Sequence, residues 1–348
     1  MSQGSLIPLT RARGFGPLPG LLEKYGGEHT LLRAFAEAGL PMSIRDEPAR
    51  PIPHLAMVEL FARSGHLLGS RTFGLEVGRR MRYQGYGLWA DYCAGALTLG
   101  EALQRGFTSS WMHFTGFPLQ VAREDRWVVW RYPYSSSYLD NTQHADHLLA
   151  PMLDFARIYL GPNWQPDWVQ VNYTRDVDAP LLESALGAPI RFGREEGVGI
   201  ALRPEDLTHP RRPDLPRPQD ISPLRSVLTD VVLRTAPEPA RSLSAVVAMR
   251  LLDGRSDIEG AARLSGLSVQ SLQRHLRQQN YTYRAVLDAA RRARAVELLL
   301  NTQLPLLDIA LCIGYEDHAT FTRAFRRWMG CSPSEFRRAA RNGQSLTP

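Results

Sequence analysis

The rhythm of hydrophobic and polar positions changes twice along this chain. Over roughly the first 206 residues helical and strand periods are mixed. Thr30 opens TLLRAFAEAG, an amphipathic stretch stopped by Gly39. PHLAMVELFARSG (53–65) and TLGEALQRGF (98–107) predict further helices, the second with Thr98 and Glu101 at capping-box spacing. LQVARE and WVVWRYPY predict two strands around an Asp-Arg turn, and WVQVNYT (168–174) alternates with period two. HADHLLAPMLDFARIYL (144–160) reads as a helix between these strands. No βαβ series with a glycine-rich turn occurs, so an α+β fold of helices with a mainly antiparallel sheet is expected here.

Between about Leu207 and Arg241 the periodicity lapses. THPRRPDLPRPQDISPL is dense in proline and charge, which blocks helix interiors and sheet ladders and predicts a linker. Inside it, Ile221, Leu224, Val227, Leu228, Val231 and Val232 share one helical stripe. That short amphipathic helix packs either on its own chain or on a second subunit. From residue 242 only helices are predicted. LSAVVAMRLLDG stops at Gly254, Asp257 caps DIEGAARL, and a long helix runs from Thr282, its N-cap, to Asn301. The expected division is thus 1–207, an α+β domain; 208–241, a proline-rich linker; 242–340, an all-α domain; and 341–348, a tail.

The all-α region contains one small device twice. SGLSVQSLQRHL (265–276) and IGYEDHATFTRAF (313–325) align on Gly266 and Gly314, with Ala262 matching Ala310. Beyond the turn, where the second copy gains a residue, Leu272 matches Phe321, Arg274 matches Arg323 and Leu276 matches Phe325. A small residue lets two helices approach, glycine eases a tight turn, and apolar anchors four residues apart pin the second helix. These are the requirements of a helix-turn-helix. The opposite side of the second helix is left free, carrying Gln270, Gln273, Arg274 and Arg277 in one copy and His318, Thr320, Arg323 and Arg326 in the other. Gln can bridge adenine and Arg can fork onto guanine in the major groove.

Charge sharpens this picture. The chain of 348 residues has a net charge of +6. Residues 241–348 hold 16 Arg against 9 acidic groups, whereas the rest holds 25 basic against 26 acidic groups. All the excess positive charge lies in the region with the repeated device, the electrostatic footprint of a nucleic-acid-binding domain. About 19 helical residues between the two copies give roughly 28 Å, near the ~34 Å of one DNA turn once flanking residues are counted. Two recognition helices in one chain can then reach successive major grooves. Arg291, Arg292 and Arg294 on the connecting helix are either solvated or add phosphate contacts.

Residues 255–338 resemble the DNA-binding domain of the AraC/XylS family of bacterial transcription regulators. DIEGAARLSGLSVQSLQRHLR and LLDIALCIGYEDHATFTRAFRRWMGCSPSEFR carry the likeness, ending in Gly330 and Ser332-Pro333-Ser334-Glu335-Phe336-Arg337. The resemblance implies base contacts from Gln270, Gln273 and Arg274 and from His318, Thr320 and Arg323. It implies phosphate contacts from Ser268, Ser271, Arg277, Thr322 and Arg326. The pattern departs at Tyr315-Glu316, where the family has Phe-Ser. Ser332-Pro333 reads as the start of a final short helix, with Pro at its first position.

More loosely, most of residues 20–208 resemble the N-terminal domain named for arabinose binding in one branch of that family. The likeness lies in AGLPMSIRDEPARPIPHLAMVELFARSG, TFGLEVGRRM, YGLWADYCAGALTLGEAL and PIRFGREEGVGIALRPEDL. It implies an effector-sensing and dimerisation domain. Residues 111–173 hold 13 aromatic residues, among them Trp111, Trp127, Trp130, Trp164 and Trp168. These either line a planar-ligand pocket or pack the core. His144 and His147 are spaced to share a metal, but no third ligand is evident, and a surface or capping role is expected.

Cys93, Cys312 and Cys331 form no CxxC pair and read as small buried side chains, with neither disulfide framework nor zinc site. No signal segment or membrane span is evident, so a cytoplasmic, nucleoid-associated protein is expected. No hydrolase elbow, P-loop, HExxH or dinucleotide fingerprint occurs, no cofactor or metal is called for, and enzymatic activity is not expected. The expected function is a sequence-specific, effector-responsive regulator, with duplex promoter DNA, a small molecule, RNA polymerase and a second copy as partners. The alternative is an alkylation-repair protein with an attached DNA-binding domain, although Cys93 sits in DYCAG rather than the Pro-Cys-His-Arg acceptor of such proteins.

Overall fold

The computed structural model of the chain describes residues 7–117, 119–133, 140–194, 197–216, 232–233 and 235–341. They divide into two compact units, one within Pro8–Val227 and the other within Leu228–Pro348 together with Ile7. The amphipathic stretch read over 221–232 lies outside the described residues except for Val232, as does the tail beyond Arg341.

The first unit is α+β. A short ribbon pairs β1 (Leu9–Arg11) with β2 (Pro51–Pro53). Between them runs α1 (Leu18–Ala38), and after them α2 (His54–Leu68), α3 (Phe73–Arg80), α4 (Leu88–Ala94) and α5 (Leu99–Ser109). Helix α1 begins twelve residues before Thr30, across a kink at Gly27, so Thr30 is an interior residue whose hydroxyl donates to the Gly26 carbonyl at 2.6 Å. Its stop at Gly39, in the left-handed region, is as expected. Helix α2 runs past Gly65 to end on Gly69. At α5, Thr98 accepts from the Glu101 N–H at 3.3 Å, while Glu101 receives the N–H of Leu97 at 3.0 Å.

The sheet contains β3 (Gln120–Glu124), β4 (Trp127–Tyr132), β5 (Val169–Gln170), β6 (Ile190–Arg191) and β7 (Val198–Leu202), in the order β3-β4-β7-β5-β6. Only the β5–β6 pair is parallel. Between β4 and β5 lies α6 (Thr142–Leu160), and between β5 and β6 lies α7 (Ala179–Leu186). WVQVNYT forms only two ladder residues, yet its alternation holds: Val169 and Val171 enter the main core, whereas Trp168 joins Val129 and Ala201 in a separate cluster. The main core also takes Val128 and Trp130 of β4, Ile200 and Leu202 of β7, and Leu149, Leu153 and Ala156 of α6.

Two glycines fix the position of α6. A Cβ at Gly74 would stand 1.9 Å from the Gln143 carbonyl oxygen and one at Gly78 would stand 2.4 Å from that of His147, so α3 meets α6 backbone to backbone. Gln143 completes the junction, accepting from the Gly74 N–H at 2.6 Å and donating to the carbonyls of Ser70 and Arg71 at 2.8 and 3.0 Å.

The second unit is entirely helical among its described residues. It comprises α8 (Ala240–Arg250), α9 (Ile258–Leu264), α10 (Val269–Gln278), α11 (Tyr283–Asn301), α12 (Leu306–Cys312), α13 (His318–Met329) and α14 (Pro333–Arg341). The caps at Asp257 and Thr282 form as expected, accepting from the N–H groups of Gly260 and Ala285 at 2.7 and 3.1 Å. Pro333 occupies the first position of α14, and Ser332 and Glu335 close a reciprocal capping box around it.

Candidate nucleic-acid interface and ligand cavity

Each half of the second unit is a pair of helices around a glycine turn. Gly266 and Gly314 both take positive φ, 67° and 76°, a backbone conformation that glycine enters without strain. Ala262 and Ala310 are buried where the paired helices touch, and Leu272, Leu276, Phe321 and Phe325 are fully buried. The sequence alignment of the two copies therefore describes their packing.

Burial of those anchors turns the remaining sides of α10 and α13 to solvent. Gln270, Gln273, Arg274 and Arg277 are exposed, and Ser271 is half-buried. On α13, His318, Arg323 and Arg326 are exposed, with Thr320 and Thr322 half-buried. Ser268 caps α10, accepting from the Ser271 N–H at 3.1 Å, and its hydroxyl donates to that of Ser271 at 3.0 Å. In the second copy Asp317 is the cap, accepting from the Thr320 N–H at 2.7 Å and hydroxyl at 2.8 Å. Arg323 in turn donates to the Thr320 hydroxyl at 3.0 Å. The backbone and side-chain donors of Thr320 hold the Asp317 carboxyl below its ordinary range, so it stays ionised.

The connecting helix α11 is tied to both copies. Its Tyr283 hydroxyl donates to the carbonyls of Ser256 and Asp257, at 3.1 and 3.0 Å, where α9 begins. Arg291 donates to the carbonyls of Ile313 and Gly314, at 2.9 and 2.7 Å, and its guanidinium lies 4.4 Å from the Tyr315 ring centroid. Arg291 is therefore a clamp on the second turn, which corrects both sequence readings of it: its fork is filled by backbone carbonyls. Arg294 pairs with Glu297, and Arg292 is exposed. Asp288 of α11 also receives Arg327 of α13 at 3.0 Å.

The first unit encloses a cavity of about 90 Å³. Helix α6 contributes His144, His147, Met152 and Phe155; Tyr83, Tyr86, Trp89 and Cys93 come from α4 and the segment before it; Trp130 and Tyr132 come from β4. The aromatic stretch thus supplies part of a pocket wall as well as core: Trp127 and Trp168 pack edge to face elsewhere, at 5.7 Å, and Trp111 is exposed. The wall is built of rings at contact distance. Trp89 stacks on His113 at 5.3 Å, and Phe114 meets Tyr132 edge to face at 5.0 Å.

His144 and His147 are buried against this cavity, not on the surface. The reason is α3: its two glycines press that side of α6 into the core. Burial lowers the pKa of His113 and His144 to about 3 and holds His54 and His147 well below their ordinary value, so all four rings are neutral. No group of three His, Cys, Asp or Glu that could hold a metal occurs among the described residues. Sequence reasoning missed Tyr86, Trp89 and His113 as wall residues. Tyr86 and Trp89 lie outside the aromatic stretch, and His113 carried no spacing signal.

The cysteines also correct an expectation. Cys93 is buried, but Cys331 is half-buried and Cys312 is exposed. Burial pushes the Cys93 thiol up to about 12, which leaves it a poor nucleophile and removes the physical basis of the repair alternative.

Residues 29–211 match the family profile of the arabinose-binding N-terminal domain of AraC transcription regulators, and residues 261–339 match a helix-turn-helix domain profile. The chain belongs to the AraC family of transcription regulators. It is similar to the ornithine utilization regulator of Pseudomonas aeruginosa, 27% identical over 344 residues, covering 96% of this chain and 97% of that one. The transcriptional regulator VirS of Mycobacterium tuberculosis is 25% identical over 352 residues, covering 97% and 98%. Among solved structures, the transcriptional regulator CdpR of Pseudomonas aeruginosa aligns over 77% of this chain and 87% of that chain, with 22% identity and a TM-score of 0.35. This AraC-family chain is accordingly a transcriptional regulator with an N-terminal effector-binding domain and a DNA-binding helix-turn-helix domain, and its relatives are regulators rather than repair proteins. Among the described residues no helix is long and apolar enough to cross a membrane.

Proposed function

We propose that this AraC-family protein activates transcription by placing α10 and α13 in successive major grooves of promoter DNA, under the control of a small molecule held in the aromatic cavity. The observation that carries the reading is α11, bonded through Tyr283 and Arg291 to both helix-turn-helix units. A stiff rod tied at both ends holds two reading surfaces in a constant relation, which a site of two half-sites about one turn apart requires. Gln270, Gln273, Arg274, His318, Thr320 and Arg323 read bases; Ser268, Ser271, Arg277, Thr322 and Arg326 meet phosphates. Because Thr320 is engaged by Asp317 and Arg323, its hydroxyl reads DNA only after that chain of bonds rearranges.

The working division is a sensing and dimerisation domain to residue 207, a linker over 208–241 and the DNA-binding domain over 242–340. Family resemblance favours activation by contact with RNA polymerase on the nucleoid. Phe107 and Trp111, four residues apart and both exposed, offer the sensor unit an apolar surface for a second copy.

The test is selection of duplexes from a random pool by the full chain, followed by titration at several salt concentrations. Selected sites contain two half-sites about 10–11 base pairs apart, and affinity falls steeply with salt. Arg323→Ala costs about 1–3 kcal/mol and relaxes preference at one position. Unchanged affinity and preference in that variant would remove Arg323 from the reading surface.

A further inference from the structure

We propose that the effector is a small, uncharged aromatic molecule carrying one hydrogen-bond donor, which it gives to Nδ1 of His147. The proposal rests on the reading of the aromatic cavity as the effector site and adds the chemistry of what enters it.

Charge decides first. None of the described residues lining the cavity is Asp, Glu, Lys or Arg. The guanidiniums around it bond to backbone carbonyls: Arg11 donates to those of Met112 and Ala49 at 3.2 and 2.7 Å, Arg105 to that of Tyr92 at 3.0 Å and Arg211 to that of Ala94 at 2.9 Å, while Arg13 has the opposite charge of Asp91 near it. A carboxylate or ammonium moved into this space would lose its hydration and find no charged partner among the lining residues, which costs several kcal/mol or more. A free amino acid is thereby excluded. A sugar fits poorly for a related reason: the wall is mostly rings and aliphatic side chains, and the few polar groups of Thr10, its tyrosines and its histidines are too sparse to pair four or more hydroxyls.

Shape and polarity then narrow the class. The walls present the faces and edges of Tyr83, Tyr86, Trp89, His113, Trp130 and Phe155, which complement another ring. An apolar cavity of about 150 Å³ holds benzene. At about 90 Å³ this one admits a single ring once Met57 and Met152, whose unbranched side chains adapt readily, give way.

His147 supplies the polar contact. It is 1% exposed and lines the cavity, and its ring bonds to the backbone of Gly14. A neutral ring that donates one N–H to a carbonyl leaves its other nitrogen as an acceptor. That atom, Nδ1, is buried with no hydrogen-bond partner among the described residues. An unsatisfied acceptor in an apolar space is costly, and a ligand hydroxyl or N–H relieves it.

The test is calorimetric titration of the full chain with phenol, toluene, benzoate, L-arabinose and L-ornithine. Phenol and toluene bind, and the other three bind at least about tenfold more weakly. His147→Leu weakens phenol by about fivefold and leaves toluene unchanged, a cycle that isolates the hydrogen bond. Gly106→Val fills the space and abolishes binding of both rings while thermal unfolding shows the variant folded; a Cβ there meets Leu119 at 3.5 Å and Cys93 at 3.8 Å, ordinary contacts, and Gly106→Ala serves as the milder second variant, weakening binding of both rings. If benzoate, arabinose or ornithine binds more tightly than phenol and Gly106→Val abolishes that binding, the site stands and the proposed chemistry is overturned. If binding of any probe survives Gly106→Val, the cavity is not where it binds and the underlying reading fails. Absence of phenol and toluene binding to the wild-type chain at millimolar concentration, or equal effects of His147→Leu on the two probes, overturns the proposal.

Discussion

The two units of this chain place their polar chemistry on opposite sides of their cores. In the sensor unit, His54, His113, His144 and His147 lie inside, desolvated and neutral, among aromatic rings. In the DNA-binding unit, glutamines, arginines and His318 stand outside, on helices pinned from behind by Leu272, Leu276, Phe321 and Phe325. The difference matches the proposed ligands. A polyanion is met by charge at a wet surface, where Coulomb attraction and counterion release act over a long reach. A small neutral molecule is met by shape and dryness, which only an interior supplies.

Acid is the strongest way to separate the two units. Each buried histidine binds its proton more readily when unfolded than when folded. Below the unfolded pKa of 6.5 the unfolded state therefore holds more protons, and stability falls as pH falls, down to about 3 for His113 and His144. Each costs about 2 kcal/mol between pH 6.5 and 5. Asp146 offsets part of this: burial lifts its carboxyl to about 6 despite the neighbouring Arg71, and it takes up a proton over the same interval. Thermal unfolding of the full chain followed from pH 7 to pH 5 shows the sensor transition moving down steeply, with a much smaller shift for the DNA-binding unit.

Phe325→Ala strikes the other core. Its ring is fully buried against Phe321, Trp328 and Phe336, and its loss costs about 3–5 kcal/mol. Denaturant unfolding shows the DNA-binding unit destabilised by that amount, while ligand affinity of the sensor unit is preserved. Arg274→Ala, like Arg323→Ala, touches no core. It leaves both transitions in place and reduces specific DNA affinity by about 1–3 kcal/mol, read by fluorescence anisotropy. The smallest effect is on caps: Ser268→Ala and Asp317→Ala each cost about 1 kcal/mol of stability. Asp317→Ala also frees Thr320 and so changes base preference beside Arg323, whereas Ser268→Ala affects no bond of Arg274 comparable to that chain.

Much of the DNA-binding unit could be read without coordinates because its determinants are local. A cap, a glycine turn and anchors four residues apart are all close in sequence, and the second copy checks the first. What escaped there is long-range. Arg291 looks like any arginine on an amphipathic helix until Ile313 and Gly314 are brought beneath it. The sensor unit was less legible for the same reason. LQVARE and WVVWRYPY pair as the two strands read around a turn, but the start of α1 was placed at Thr30, whereas the helix begins at Leu18 and continues through a kink at Gly27. His144 and His147 looked like residues of an exposed first turn, and the backbone contact with Gly74 and Gly78 buried them.

The amino-acid order alone determined the kind of molecule: an α+β unit followed by paired helical devices, with the excess positive charge confined to the second part. Periodicity, caps and charge are properties of neighbouring residues, so they survive in a linear text. Only the tertiary structure decided which arginines are clamps and which stay in water, and which histidines are neutral walls of a cavity. Burial and partnership depend on residues far apart in the chain, and a protonation state follows from burial, so neither exists until the chain has packed.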